Sequence, residues 1–113
     1  MKVMPKSDAK CVVHGWFKSG QIVTVLAVCN YKSGSKYLIW SDLQSGDALF
    51  PVSEFEIVDP TLSRRWVAEI NLNGFIDLTP SAWMEKGFWD RHNDGESNAD
   101  RVFMEEMAAL MNE

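Results

Sequence analysis

Gly20-Gln-Ile-Val-Thr-Val-Leu-Ala-Val-Cys-Asn30 decides the fold. The stretch is uncharged, rich in β-branched residues, and bounded by Gly and Asn. Strand side chains alternate between faces. In one strand, Val23, Val25, Ala27 and Cys29 point one way, and Ile22, Thr24, Leu26 and Val28 the other. Both faces are apolar, so the pattern predicts a central strand covered on both sides.

Working outward, Met1–Lys10 mixes Lys, Pro, Ser and Asp and reads as a loose lead-in. Cys11-Val-Val-His-Gly-Trp-Phe17 reads as a first strand, turned into the central one by Lys18-Ser-Gly20. Tyr37–Ser41 is a third strand, with Tyr37, Ile39 and Ser41 on one face and Leu38 and Trp40 on the other. Ala48–Phe50 is a short fourth strand. Pro51 donates no ladder bond and ends it. Phe55–Val58 is a fifth.

Five short strands with Gly/Ser turns predict a small barrel. Ala48-Leu-Phe-Pro-Val-Ser-Glu-Phe-Glu-Ile-Val58 resembles the end of a Src-homology-3-like barrel. There an aliphatic-aromatic strand meets Pro, makes one helical turn, and continues into a last strand opening on an aromatic. Phe50, Pro51 and Phe55 take those places. The resemblance spans residues 11–59 and implies a fold. The Ala-Leu-Tyr-Asp-Tyr signature of peptide-binding members is absent, so it does not imply proline-peptide binding.

After a linker at 59–63, residues 64–78 read as a hairpin. Asn73-Gly74 is a strong type I′ turn signal. In that register Leu72 faces Phe75, and Ile70 shares a side with Asp77. Residues 80–112 form a helical C-terminal segment. Thr79-Pro80 starts a short helix over Pro80–Lys86, with Leu78 and Trp83 as a hydrophobic staple. Gly87 ends it, with Phe88 folding back on Trp83. Residues 88–96 form a connection. Ser97 and Asp100 then resemble a capping box for a last helix over about 98–111, with Ala99, Phe103 and Met107 on its apolar stripe. The expected fold class is α+β: a single domain with a five-stranded Src-homology-3-like β-barrel, a β-hairpin and two C-terminal helices.

The chain has 113 residues, long enough for a core without metal or disulfide staples. Asp and Glu outnumber Lys and Arg by 16 to 11, which disfavours a nucleic-acid or anionic-membrane partner. No stretch is long and apolar enough to span a bilayer, and Met1–Asp8 lacks the apolar core of a signal peptide. With two Cys, a cytoplasmic protein with reduced thiols is expected.

Chemistry is sparse. Cys11, His14, Cys29 and His92 are zinc-ligand types, but Cys11 and His14 point apart on a strand and no Cys-x-x-Cys pair exists. Asp90–Gly95 is similar to a calcium loop whose twelfth place, Arg101, cannot close the shell. No metal or cofactor is expected. No phosphate-binding loop, dinucleotide fingerprint or nucleophile elbow occurs. An acid/base group at Asp90, His92 and Asp94 is the enzyme alternative. Tyr31, Tyr37 and Trp40, beside Lys32 and Lys36, are the face of a single-stranded nucleic-acid alternative. The leading expectation is a non-enzymatic module that binds a protein or a second copy of itself, as an accessory protein of a bacterium or its mobile elements. Its anchor is Trp89 beyond the helix stop, rimmed by Asp90, Arg91 and His92.

Overall fold

A computed structural model describes residues 1–113. The chain is α+β, with two antiparallel sheets and three α-helices. The smaller sheet has the order β2-β1-β6, with β1 Lys2–Pro5, β2 Val23–Thr24 and β6 Phe55–Asp59. The larger has the order β5-β4-β3-β8-β7. Its strands are β3 Ala27–Tyr31, β4 Gly34–Ser41, β5 Gly46–Pro51, β7 Trp66–Ile70 and β8 Ile76–Pro80. The helices are α1 Lys10–Val13, α2 Phe88–Asn93 and α3 Ser97–Met111.

The Gly20–Asn30 stretch is the hinge between the sheets and not one straight strand. It runs as β2 in the small sheet, leaves it at Val25 and Leu26, and re-forms as β3 in the large one. Val23 and Val25 fill one core with Val3, Phe17, Tyr37, Ile39, Phe50 and Phe55. Leu26 and Ala27 fill a second with Leu38, Trp83, Phe88, Phe103 and Leu110. Strict alternation separates Leu26 from Ala27. Their shared core means that the side-chain phase slips by one residue at the crossing, as at a bulge.

The crossing leaves backbone groups outside regular ladders, and distant parts of the chain satisfy them. Val25 N–H donates to the Met1 carbonyl at 3.0 Å, and Leu26 N–H to Leu38 at 2.8 Å. The Trp66 indole N–H donates to the Leu26 carbonyl at 2.8 Å. Buried peptide groups need such partners.

The other departures have local causes. Lys2–Pro5 is the middle strand of the small sheet, not a lead-in; Val3 and Pro5 are its buried face. Cys11–Phe17 is not a strand. Lys10–Val13 makes one helical turn, fixed where Cys11 N–H donates to the Glu54 carboxylate at 2.8 Å. Gly15, with φ of +79°, then turns the chain. Thr79 and Pro80 are taken up by β8, paired with Val67 and Trp66, so the helix expected over Pro80–Lys86 shrinks to a 3-10 turn at Ser81–Trp83. Gly87, at φ of +78°, precedes α2, which replaces the expected connection. Ser97 makes no capping bond; Asp100 is engaged by His92 instead. The last helix and its stripe of Ala99, Phe103, Met107 and Leu110 follow the expected spacing.

β5 ends at Pro51, and a 3-10 turn at Val52–Glu54 leads into β6 at Phe55. The hairpin stands, but its register is Ile70↔Ile76 and Glu69↔Asp77. Asn71 Oδ1 accepts the N–H groups of Asn73 and Phe75 at 3.0 and 3.1 Å. This side-chain turn, with only Gly74 at positive φ, replaces the type I′ geometry and shifts the pairing by one residue.

Two variants test the crossing in urea melts. Leu26 is fully buried, so Leu26→Ala is expected to cost about 2–5 kcal/mol. Trp66→Phe keeps a ring but orphans the Leu26 carbonyl, for an expected loss of about 1–3 kcal/mol.

Candidate functional site

The large sheet turns the Leu38 and Trp40 side of β4 toward α2 and α3. Near α3 this face is sealed. Phe103 stacks on Trp83 with centroids 4.9 Å apart, and on the His92 ring at 4.3 Å. Toward the hairpin it is open. A cleft of about 420 Å³ lies between the sheet and α2. Its apolar surfaces come from Ala27, Leu38, Tyr31, Trp83 and Trp89, and its charges from Asp47, Glu69 and Asp77. No Lys or Arg lines it. A second concavity of about 410 Å³ shares Glu69, Asp77, Trp83 and Trp89. It reaches the hairpin at Ile70, Asn71 and Leu72 and adds Glu85, Asp90 and Lys86.

The carboxylates are held in different ways. Asp77 Oδ1 accepts the Asn30 N–H at 2.7 Å and the Asn71 side-chain amide at 3.0 Å, patching the gap where β3 and β8 diverge. Asp47 Oδ1 lies 2.9 Å from His92 Nε2, while His92 Nδ1 lies 2.9 Å from Asp100 Oδ1. Carboxylates only accept, so both contacts are hydrogen bonds when the ring carries a proton on each nitrogen. His92 thereby ties β5 to α2 and α3. Glu69 has no hydrogen-bond or ion-pair partner, and sits directly across the hairpin from Asp77. Like charges facing across a strand pair are destabilising.

Cys29 also lines the cleft. Burial, then the Asp77 charge, pushes its thiol up to about 11. Burial and the Glu54 carboxylate push Cys11 up to about 12. Both stay protonated near neutrality, the inert form of a thiol. Burial, with Cys29 and Asp77 nearby, also raises Tyr31.

Trp89 is half-buried, inside α2 rather than beyond a helix stop. It meets Trp83 edge-on at 5.6 Å and Phe88 at 5.2 Å, and lines both concavities. Of its expected rim, Asp90 is exposed and borders the second concavity. Arg91 pairs with Glu85 and Glu96 at 3.5 and 3.6 Å, and His92 is turned inward. Asp90 and Asp94 lie one turn apart on the α2 segment, where Asp94 N–H donates to the Asp90 carbonyl. The helix therefore points His92 away from them. Tyr31, Tyr37 and Trp40 do not share a face. Tyr31 borders the cleft, with Lys36 Nζ 5.6 Å from its ring centroid. Tyr37 is buried in the first core, and Trp40 packs on the second. Of the zinc-ligand types, Cys11 lies in the first core, His14 is exposed, Cys29 lines the cleft, and His92 is held between Asp47 and Asp100. No three His, Cys, Asp or Glu side chains converge to hold an ion. Asp47, Glu69 and Asp77 are the residues that sequence reading passed over. They come from three strands, and only the pairing brings them together.

Comparison with protein-family models, curated proteins and solved structures finds no match to this chain. No helix is long and apolar enough to cross a membrane.

Thiol chemistry gives a prediction. A rise from 9.0 to about 11 leaves Cys29 with about a hundredfold less thiolate near neutrality. Thiol reagents at neutral pH are expected to label the native chain far more slowly than the urea-unfolded one. Above pH 9 the unfolded thiol releases its proton while the folded one keeps it. The Cys29 contribution to stability is therefore full below pH 9 and is lost as pH rises through about 11. Urea melts at neutral pH, 9 and 11 should show that fall, and Cys29→Ala should lessen it.

Proposed function

We propose that the chain is a non-enzymatic binding module that holds a segment of a partner protein in the groove between the β7–β8 hairpin and α2, with Trp89 as its anchor. One observation carries the reading. Trp89 packs on the second core and also lines two neighbouring concavities that share Glu69, Asp77 and Trp83. Ligand sites are concave, mostly apolar, and carry a few polar groups. A large aromatic held rigid at the centre of such a groove has the character of a hot spot.

The fold relationship belongs to the same proposal. Four features support a Src-homology-3-like arrangement over Lys2–Asp59: the bent Val23–Tyr31 segment shared by two sheets, β1 between β2 and β6, the 3-10 turn after Phe50-Pro51, and Phe55 opening β6. The hairpin and helices are then additions that build the groove on the face of β3, β4 and β5. The inert thiols and the separation of His92 from Asp90 and Asp94 favour binding over catalysis.

Trp83 and Trp89 divide the roles. Trp83 is 1% exposed, and Trp83→Ala is expected to cost about 3–5 kcal/mol. Trp89→Leu is expected to lower the melting temperature less. Affinity capture from the native host, with mass spectrometry, should yield a protein retained by the parent chain and lost with Trp89→Leu. An unchanged set of captured proteins, or a melting loss as large as that of Trp83→Ala, would make Trp89 a core residue and remove the proposed anchor. Capture of the chain itself would identify a second copy as the partner.

A further inference from the structure

The groove has a charge as well as a shape. Asp47 and Asp77 each bond through Oδ1 alone, and Glu69 through neither oxygen. Asp47 Oδ2, Asp77 Oδ2 and both Glu69 oxygens are therefore left without a donor, on residues that line the cleft. No cation lines the cleft, and Lys86 alone lines its continuation, where Glu85 and Asp90 add two more acids. Glu69 opposite Asp77 is an unfavourable pairing, in which Asn30 and Asn71 donate to Asp77 but nothing in the free chain donates to Glu69. A local rule broken without compensation inside the fold marks a place where function sets the residues.

Two further features bear on the occupant. Trp89 presents ring surface beside the carboxylates, as does Tyr31, whose ring already has Lys36 Nζ 5.6 Å from its centroid; such faces attract organic cations. Trp83 lines both concavities, and its Nε1 is the one buried side-chain N or O atom with no hydrogen-bond partner. Buried donors require an acceptor.

Resting on the reading of the groove as a protein-binding site, we propose that its occupant is a basic peptide segment, with an arginine or lysine side chain set between Trp89 and Tyr31 against Asp47, Glu69 and Asp77. A guanidinium offers forked donors that match unpaired carboxylate oxygens. The ligand's charge also offsets the Glu69–Asp77 repulsion, so it binds more strongly than an uncharged peptide of the same shape.

The test uses the full chain and three synthetic decapeptides on one Gly-alternating backbone, carrying arginine, its uncharged isostere citrulline, or glutamate. Binding is read by tryptophan emission and calorimetry at fixed low salt. Glu69→Gln is the main variant because Glu69 holds no partner in the fold. Glu105→Gln makes the same charge change on the exposed face of α3, where its partner is Arg101. The arginine peptide is expected to bind, and Glu69→Gln to weaken it about tenfold while Glu105→Gln leaves it unchanged. Equal binding of the citrulline or glutamate peptide, equal loss in both variants, or no binding of the arginine peptide each overturns the proposal. If the arginine peptide fails while capture of a partner still depends on Trp89, the cationic occupant falls and the module stands. If that capture also ignores Trp89, both fall.

Discussion

The structure depends on one constraint: a single segment, Val23–Cys29, serves two cores. Val25 belongs to one and Leu26 and Ala27 to the other, with no spacer between them. A chain that changes sheets in this way breaks its own ladder. The peptide groups freed from the ladder are met by Met1, Leu38 and the Trp66 indole, which come from the residue before the first strand, the neighbouring strand and the hairpin. The crossing therefore fastens the beginning of the chain and two segments of its middle to one point. Trp66 packs against both cores, so the hairpin is docked by the crossing as well as by its own pairing with β3.

That docking creates the groove. β8 follows β3 closely only at Val28↔Leu78; beyond it, Asn30, Asn71 and Asp77 bridge the gap with side chains. The hairpin tip is thus carried past the edge of the second core. α3 covers the face of β4 at the other end, and α2 stops between them. His92, between Asp47 and Asp100, fixes α2 at that distance from the sheet. Arg65, paired with the buried Glu106, ties the strand β7 approach to α3. The cleft is the space that these ties keep open.

Much of the frame was legible in the sequence. The alternation through Tyr37–Ser41, the Pro51 stop, the hairpin and the stripe of the last helix rest on local signals, whereas Gly20–Asn30 was legible as a doubly covered apolar stretch but not as a crossing between two sheets. The misses share a physical type. Lys2–Pro5 alternates over only four residues, too few to outweigh its polar surroundings. Cys11-Val-Val13 has strand composition, and only a distant Glu54 carboxylate makes it helical. Thr79-Pro80 has the chemistry of a helix start, but Trp66 and Val67 pair with it first. At the hairpin the Asn71 side chain displaced the expected turn by one residue. That slip hid the site, because it places Glu69, not Ile70, opposite Asp77. Trp89 was legible as a residue with spare surface, but its partners across the groove were not, since Asp47, Glu69 and Asp77 meet only through tertiary pairing.

Native-state hydrogen exchange tests the shared segment most directly. If one crossing feeds both cores, the amides of Val25 and Leu26 open only with the whole molecule. Their opening free energy should then match that of core amides on either side, Ile39 in the first core and Phe103 in the second, across a denaturant series. Val25 and Leu26 exchanging through a smaller local opening, or Ile39 and Phe103 settling at separate plateaus, would show two cores that fold without that shared hinge.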